Sequence, residues 1–302
     1  MRTLRTPEER FADLPDFPYQ PRYADVPDGE GGTLRMAYVE AGHPAAEPVL
    51  LLHGEPTWSF LYRHVMRELA AAGLRAIAVD LVGFGRSDKP ELVADHTYAR
   101  HVEWTRALAF DALGLDRITV VGQDWGGLIG LRLAAEHPER FARIVAANTG
   151  LPTGDIPLPE PWHRFRESVE KAPELDIARF VQAGCRTTLP EPVRAAYDAP
   201  FPGENHKAGP RALPGLVPTT PEDPAAPANR MAWQVLTTLD RPFLVAFSDG
   251  DPITGGMAPV LMKVMKGAAG RAHPVIGGAG HFLQEDAGHE LGRHIAAFTR
   301  GR

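Results

Sequence analysis

The chain has 302 residues, enough for one large α/β domain with an insertion or for two small domains. With 32 basic against 38 acidic residues its net charge is −6, and like charges nowhere form a block, which argues against nucleic acid or an anionic membrane as partner. The single cysteine, Cys185, excludes an intramolecular disulfide and a cysteine-rich zinc site, and reads as an idle thiol.

Taken in chain order, Met1–Arg10 is charged and precedes no apolar signal segment. No apolar run approaches the ~18–20 residues of a membrane helix, so the expectation is a soluble, cytoplasmic protein. Residues 33–40 alternate as an early strand, after turn material in Asp28-Gly-Glu-Gly-Gly32. Pro48–His53 is almost wholly apolar, as a strand buried on both faces of a parallel sheet would be. A helical pattern over 59–72 stops at Gly73, and Arg75–Asp80 is the next strand. A helix is expected over 97–113 with Gly114 after it, then a strand over 117–122, a helix over 127–137 ended by Pro138, and a strand over 141–147.

The alternation then breaks. From Pro152 to Pro227 the chain carries 15 of its 29 prolines, and its helical pieces are short. The sheet rhythm resumes with a helix near 228–239, a strand over 242–248, a helix near 257–266, a strand over 273–277 and a last helix over 287–299. The expectation is an α/β fold of the α/β-hydrolase type: a mostly parallel sheet covered on both faces, with a helical cap inserted. The main domain would take residues 1–152 and 226–302 and the cap 153–225. A structureless surface loop of that length would be unusual in a compact domain.

The most informative segment is Ile118-Thr-Val-Val-Gly-Gln-Asp-Trp-Gly-Gly-Leu-Ile-Gly130. A β-branched strand, a glycine-bounded turn and a helix start make a nucleophile elbow, usually G-x-S-x-G. Here an aspartate, Asp124, stands in place of the serine, and a carboxylate nucleophile forms an alkyl ester on an electrophilic carbon. The fold orders its catalytic residues as nucleophile, acid, histidine. Asp251 follows the 242–248 strand and His281 follows the 273–277 strand in Gly278-Ala-Gly-His281. Neutral His281 would take a proton from water to hydrolyse the ester, and Asp251 would fix its tautomer and stabilise the imidazolium. Asp249 competes with Asp251 for the acid role, although a turn is its simpler explanation. Read alone, Asp124 could also be a helix cap and His281 a packing residue. His53-Gly-Glu-Pro-Thr-Trp58 follows a buried strand, where the backbone N–H of Glu55 would pair with that of Trp125 as an oxyanion hole. Gly83-Phe-Gly-Arg-Ser-Asp-Lys-Pro90 lacks a Walker signature and reads as a packed loop.

These segments together resemble the haloalkane dehalogenases of the α/β-hydrolase superfamily, the matches being His53–Arg63, Gly83–Pro90, Gln123–Gly126, Asp251-Pro252 and Gly280–Asp286. The resemblance implies hydrolysis of a haloalkane to a primary alcohol, halide and a proton, with no cofactor and no metal. It implies a small apolar halogenated substrate and a monomer or small homo-oligomer. The leaving halide is held by neutral N–H donors. Glu55 places the chain with the subfamily whose HGE loop goes with a second halide-binding tryptophan from the cap. Trp125 is then the first donor and Trp162 the second, while Trp58, Trp104 and Trp233 are packing residues. An epoxide hydrolase would use the same nucleophile but needs cap tyrosines as acids, and the cap here has only Tyr197. A ligand-binding receptor on the hydrolase fold would be expected to lose a triad member; none is missing.

Overall fold

The computed structural model describes residues 1–301. In chain order the strands are β1 (Thr3–Leu4), β2 (Pro21–Pro27), β3 (Thr33–Ala41), β4 (Pro48–Leu52), β5 (Arg75–Val79), β6 (Lys89–Pro90), β7 (Ile118–Gln123), β8 (Phe141–Ala147), β9 (Phe243–Val245), β10 (Phe247–Ser248) and β11 (Val275–Ile276). The helices are α1 (Arg63–Ala71), α2 (Tyr98–Arg106), α3 (Trp125–Glu136), α4 (Glu160–Lys171), α5 (Ile177–Gly184), α6 (Glu191–Asp198), α7 (Ala208–Leu216), α8 (Ala226–Thr238), α9 (Met257–Val264) and α10 (Leu283–Thr299).

The central sheet runs β2-β3-β5-β4-β7-β8-β9, and β10 carries it on to β11 through a parallel pair. Pairs β4–β5, β4–β7, β7–β8 and β8–β9 are parallel; only β2 and β3 enter antiparallel. The parallel strands are the apolar runs of the sequence, and Leu50, Leu51, Ile77, Val121 and Val145 are buried between the helix layers. One layer pairs α1 with α10, and the other sets α3 against α2 and α8. Strand order reverses beside β4: β5 lies on one side of it and β7 on the other. In parallel sheets, ligands bind at the carboxyl ends of strands at such a reversal, and here that crevice lies between the loops after β4 and β7.

Between β8 and β9 the chain leaves the sheet. Helices α4–α7 pack on one another as α5 against α6 and α4 against α7. Prolines stand in the first turns of α4 and α6, where a missing N–H costs nothing. Helix α8 rests on α3. Among the described residues, no helix is long and apolar enough to cross a membrane, and no group of three or more His, Cys, Asp or Glu is placed to hold a metal ion.

Several elements differ from the sequence expectation. Residues 59–62 form a 3₁₀ turn ahead of α1, and a π-helical stretch over 107–112 follows α2. The expected 242–248 strand is broken at Ala246, where the ladder shifts from β8 to β11. Strand β2 was not anticipated: proline stands at each end and most of it is partly or fully exposed, which leaves no alternation to read. The last helix begins at Leu283, four residues early, with a non-helical Ala287 between its two pieces.

Candidate active site

One residue separates β7 from α3. Asp124 has φ 50° and ψ −125°, a conformation that costs a non-glycine residue ~1–3 kcal/mol and persists only if its surroundings impose it. The glycines on either side make it possible. A Cβ on Gly126 would sit 2.0 Å from the Leu52 carbonyl oxygen, and one on Gly122 would sit 2.5 Å from the Gly127 Cα. The Asp124 N–H donates to the Asn148 carbonyl at 3.0 Å, and its own carbonyl accepts from Thr149 Oγ1 at 2.7 Å. The carboxylate thus stands at the carboxyl end of the sheet. Its Oδ1 accepts the Glu55 N–H at 2.8 Å, an approach that a side chain at Gly54 would block. Trp125 opens α3, so its N–H lacks an intrahelical acceptor.

His281 reaches both carboxylates. Its Nδ1 lies 3.1 Å from Asp251 Oδ2, and its Nε2 lies 3.5 Å from Asp124 Oδ2. Asp251 is fixed in turn by the N–H groups of Ile253 and Thr254, at 2.9 and 3.2 Å, and by the Thr254 hydroxyl. Burial alone would raise the Asp251 carboxyl. The His281 charge and these hydrogen bonds outweigh it and hold it down at about 2. Burial alone would likewise lower His281, but the charge and hydrogen bonds of Asp251 and Asp124 push it up to about 10. Asp249, the competing acid, is exposed in the turn after β10 and makes no bond to His281.

Asp124, Trp125, Trp162 and His281 line one cavity of about 1600 Å³ between the sheet edge and α4–α7, walled by apolar groups such as Leu128, Leu151, Phe165 and Val217. Trp125 is 3% and Trp162 7% exposed, and neither indole N–H has an acceptor among the described residues. The indoles of Trp58 and Trp233 are spent on the carbonyls of Ala196 and Leu151, at 3.0 and 2.8 Å. Trp104 packs against His96 and His101. Tyr197 is absent from the cavity wall; its hydroxyl is committed to Glu285. The site therefore offers a carboxylate nucleophile and a buried base–acid pair, with unspent N–H donors and no tyrosine acid from α4–α7.

Comparison with known proteins gives the family. The family model for the α/β hydrolase fold matches residues 47–288. The chain is 48% identical over 298 residues to a haloalkane dehalogenase of Psychrobacter cryohalolentis, covering 99% of this chain and 98% of that one. It is 49% identical over 300 residues to haloalkane dehalogenase 1 of Mycobacterium bovis, covering 99% of each. It belongs to the haloalkane dehalogenase family. Among solved structures, the tetrameric haloalkane dehalogenase of Paraglaciecola agarilytica superposes with a TM-score of 0.90 at 36% identity, over 97% of both chains. Haloalkane dehalogenases are hydrolases, and the reaction is hydrolytic removal of halogen from a haloalkane.

Sequence reasoning passed over several residues that hold this dehalogenase site together. Asp286 accepts the N–H groups of Gly280, Arg186 and Thr187, tying the histidine loop to the helical insertion. Arg63, Glu285 and Tyr197 form a buried cluster joining α1, α10 and α6, with Arg63 Nη2 donating to Glu285 Oε2 at 2.8 Å. The charges at 285 and 286 were visible in the sequence as part of a motif, but nothing there showed which partners they meet. The Glu55 side chain is buried in the cavity wall, and burial followed by the Asp124 charge raises its carboxyl well above the ordinary range. The glycine-rich loop at 83–90 is a packed support: Asp80 accepts the N–H groups of Ser59 and Arg86, and buried Lys89 donates to the carbonyls of Gly85 and Ser87.

Proposed function

We propose that Asp124 attacks the halogen-bearing carbon, that the halide departs between the indole N–H groups of Trp125 and Trp162, and that His281 with Asp251 drives hydrolysis of the alkyl-aspartate. The observation that carries this reading is the convergence of all five side chains on one site, with the nucleophile, both indoles and the histidine in a largely apolar cavity wall. Asp124 Oδ1 is engaged by Glu55, so Oδ2 is the oxygen left to bond carbon. After alkylation Oδ1 is the ester carbonyl. When water adds, the N–H groups of Glu55 and Trp125 take the charge that develops on it.

His281 changes role between the half-reactions. In the resting enzyme two carboxylates hold a proton on it. Esterification removes the Asp124 charge, and with it the Asp124 contributions that raise His281. Its proton affinity therefore falls at the stage where a base is required. His281 then releases that proton to solvent. Water gives a proton to the freed Nε2 as its oxygen bonds the ester carbonyl carbon, the carbonyl carbon–Oδ2 bond breaks, and the departing alkoxide takes the proton of the added hydroxyl. The products are a primary alcohol, halide and one proton, and no cofactor or metal enters. Each indole–halide hydrogen bond is expected to contribute about 1.5–3 kcal/mol. The substrates are small apolar haloalkanes and residues 153–225 act as the cap over them. We place the enzyme in the cytoplasm, since Cys185 calls for no oxidising compartment. A small homo-oligomer is the proposed assembly, supported by the tetrameric relative.

The test is halide and proton release from 1-bromobutane and 1,2-dibromoethane, expected at one bromide and one proton per carbon–bromine bond. Silence across a panel of bromo- and iodoalkanes, with turnover of an epoxide, overturns the reading. In His281→Gln the first step should survive and the second stall, leaving an alkyl adduct on the peptide that contains Asp124. An unmodified protein after incubation would remove the covalent step.

A further inference from the structure

Asn148 follows β8, in the loop position where an acid would stand if the triad took it from this strand instead of from β10. Its amide cannot carry a charge, yet it is fully buried and holds a left-handed φ of 41°, a conformation that asparagine tolerates better than most side chains. Every polar group of the residue except its N–H is spent on a catalytic loop. The backbone carbonyl accepts the Asp124 N–H at 3.0 Å. The side-chain Oδ1 accepts the Ser248 N–H at 2.9 Å, at the root of the loop that carries Asp251. The Nδ2 group donates to Ser248 Oγ at 2.9 Å, to the Gly280 carbonyl at 2.9 Å and to the His281 carbonyl at 3.0 Å. Ser248 Oγ closes the ring by donating to the Gly280 carbonyl at 2.8 Å. Nucleophile, acid and histidine follow three different strands, at positions 124, 251 and 281, and this one side chain with its own carbonyl touches all three loops.

We propose that Asn148 is a positioning residue for the hydrolytic half-reaction, its amide fixing the His281 and Asp251 loops against the backbone of the nucleophile. The proposal rests on the reading of Asp124 as the alkylated residue. The two half-reactions make different demands. Alkylation needs the Asp124 carboxylate and the halide donors, and Asp124 keeps its backbone bond to residue 148 whatever side chain stands there. Hydrolysis needs the histidine at a set distance from both Asp251 and the ester. Displacements near 1 Å at such a site can cost about 100-fold in rate. Loss of the amide should therefore fall on hydrolysis.

Asn148→Gly separates this role from backbone strain, because glycine accepts the left-handed φ and retains the carbonyl. With 1,2-dibromoethane, rapid-quench kinetics and intact-mass measurement should show alkylation within about threefold of wild type. Hydrolysis should be slowed at least tenfold, with the alkyl-enzyme accumulating as a bromide burst. Equal losses in both steps, or wild-type rates in both, overturn the proposal. If Asn148→Gly does not fold, Ser248→Ala removes one of the same contacts, from Asn148 Nδ2, together with the Ser248 bond to the Gly280 carbonyl, and should give a smaller slowing of hydrolysis alone; an unchanged ratio of the two rates is again fatal. His281→Gln run alongside distinguishes the two levels of the argument. No adduct in His281→Gln defeats the covalent reading itself, whereas an adduct there with none in Asn148→Gly defeats only the role of Asn148.

Discussion

At the scale of single residues, the site is a contest between burial and charge. His281 and Asp251 are taken out of water together, with Asp124 only partly so, and the buried pair is stable only in company. The linkage between protonation and stability has a definite sign. A histidine raised from 6.5 to about 10 on folding contributes stability that is complete below pH 6.5 and lost as pH rises through 10. Wild type should therefore melt above His281→Gln at pH 6.5, and the gap should close steadily toward pH 10. Melting curves in a pH series check this, and a gap that stays constant contradicts the charge assignment. The tryptophans supply a second residue-scale expectation. Trp125→Phe and Trp162→Phe should each lower kcat/KM for a bromoalkane by roughly 10- to 100-fold, the rate equivalent of about 1.5–3 kcal/mol of hydrogen bond. Melting temperature should change little by comparison. A Trp162 variant with unchanged rate would give the halide to Trp125 alone. Asp124, Trp125 and His281 could be read from sequence because each sits in a local glycine-marked segment. The role of Glu285 could not, because its partners Tyr197 and Arg63 stand 88 and 222 residues away.

At the scale of elements, alternation of apolar strands and amphipathic helices was enough to outline the sheet, since both faces of a parallel strand are buried and the apolar run is unbroken. It failed where a strand is partly or fully exposed along most of its length, as in β2, and where local geometry changes without a composition change, as at Ala246 and in the π-helical stretch after α2. How α1, α6 and α10 join is a tertiary fact that no periodicity records. Their junction is the Arg63–Glu285 pair, with both side chains 3% exposed. Removing one partner leaves a buried charge, so Arg63→Met should cost about 3–5 kcal/mol, while the double change Arg63→Met with Glu285→Met should recover much of it. Urea unfolding of the three proteins measures the cycle. A single variant within 1 kcal/mol of wild type would show that the pair carries no weight.

At the scale of the whole molecule, a mostly parallel sheet interrupted by an insertion was legible, because apolar strands alternate with helices until the prolines begin. The insertion's shape was not. Its helices are short and proline-rich, and the width of the space beneath them depends on how they pack. The exposed apolar groups of the molecule's surface were equally hidden. Met231 and Val235 on α8, and Val260, Met262 and Val264 on α9, are exposed apolar side chains. Light scattering on the purified protein should report a mass of two or more protomers across micromolar concentrations. A single-protomer mass throughout would end the proposal of an oligomer.

The left-handed Asp124 has a consequence for how this architecture changes over time. Its pose is imposed by Gly122, Gly126 and the backbone bonds of Asn148 and Thr149, and hardly at all by the carboxylate. The mount and the reagent are separable. A serine at 124 would sit on the same mount, so a change at this one position can exchange the side chain presented to the cavity while the surrounding loops stay where they are.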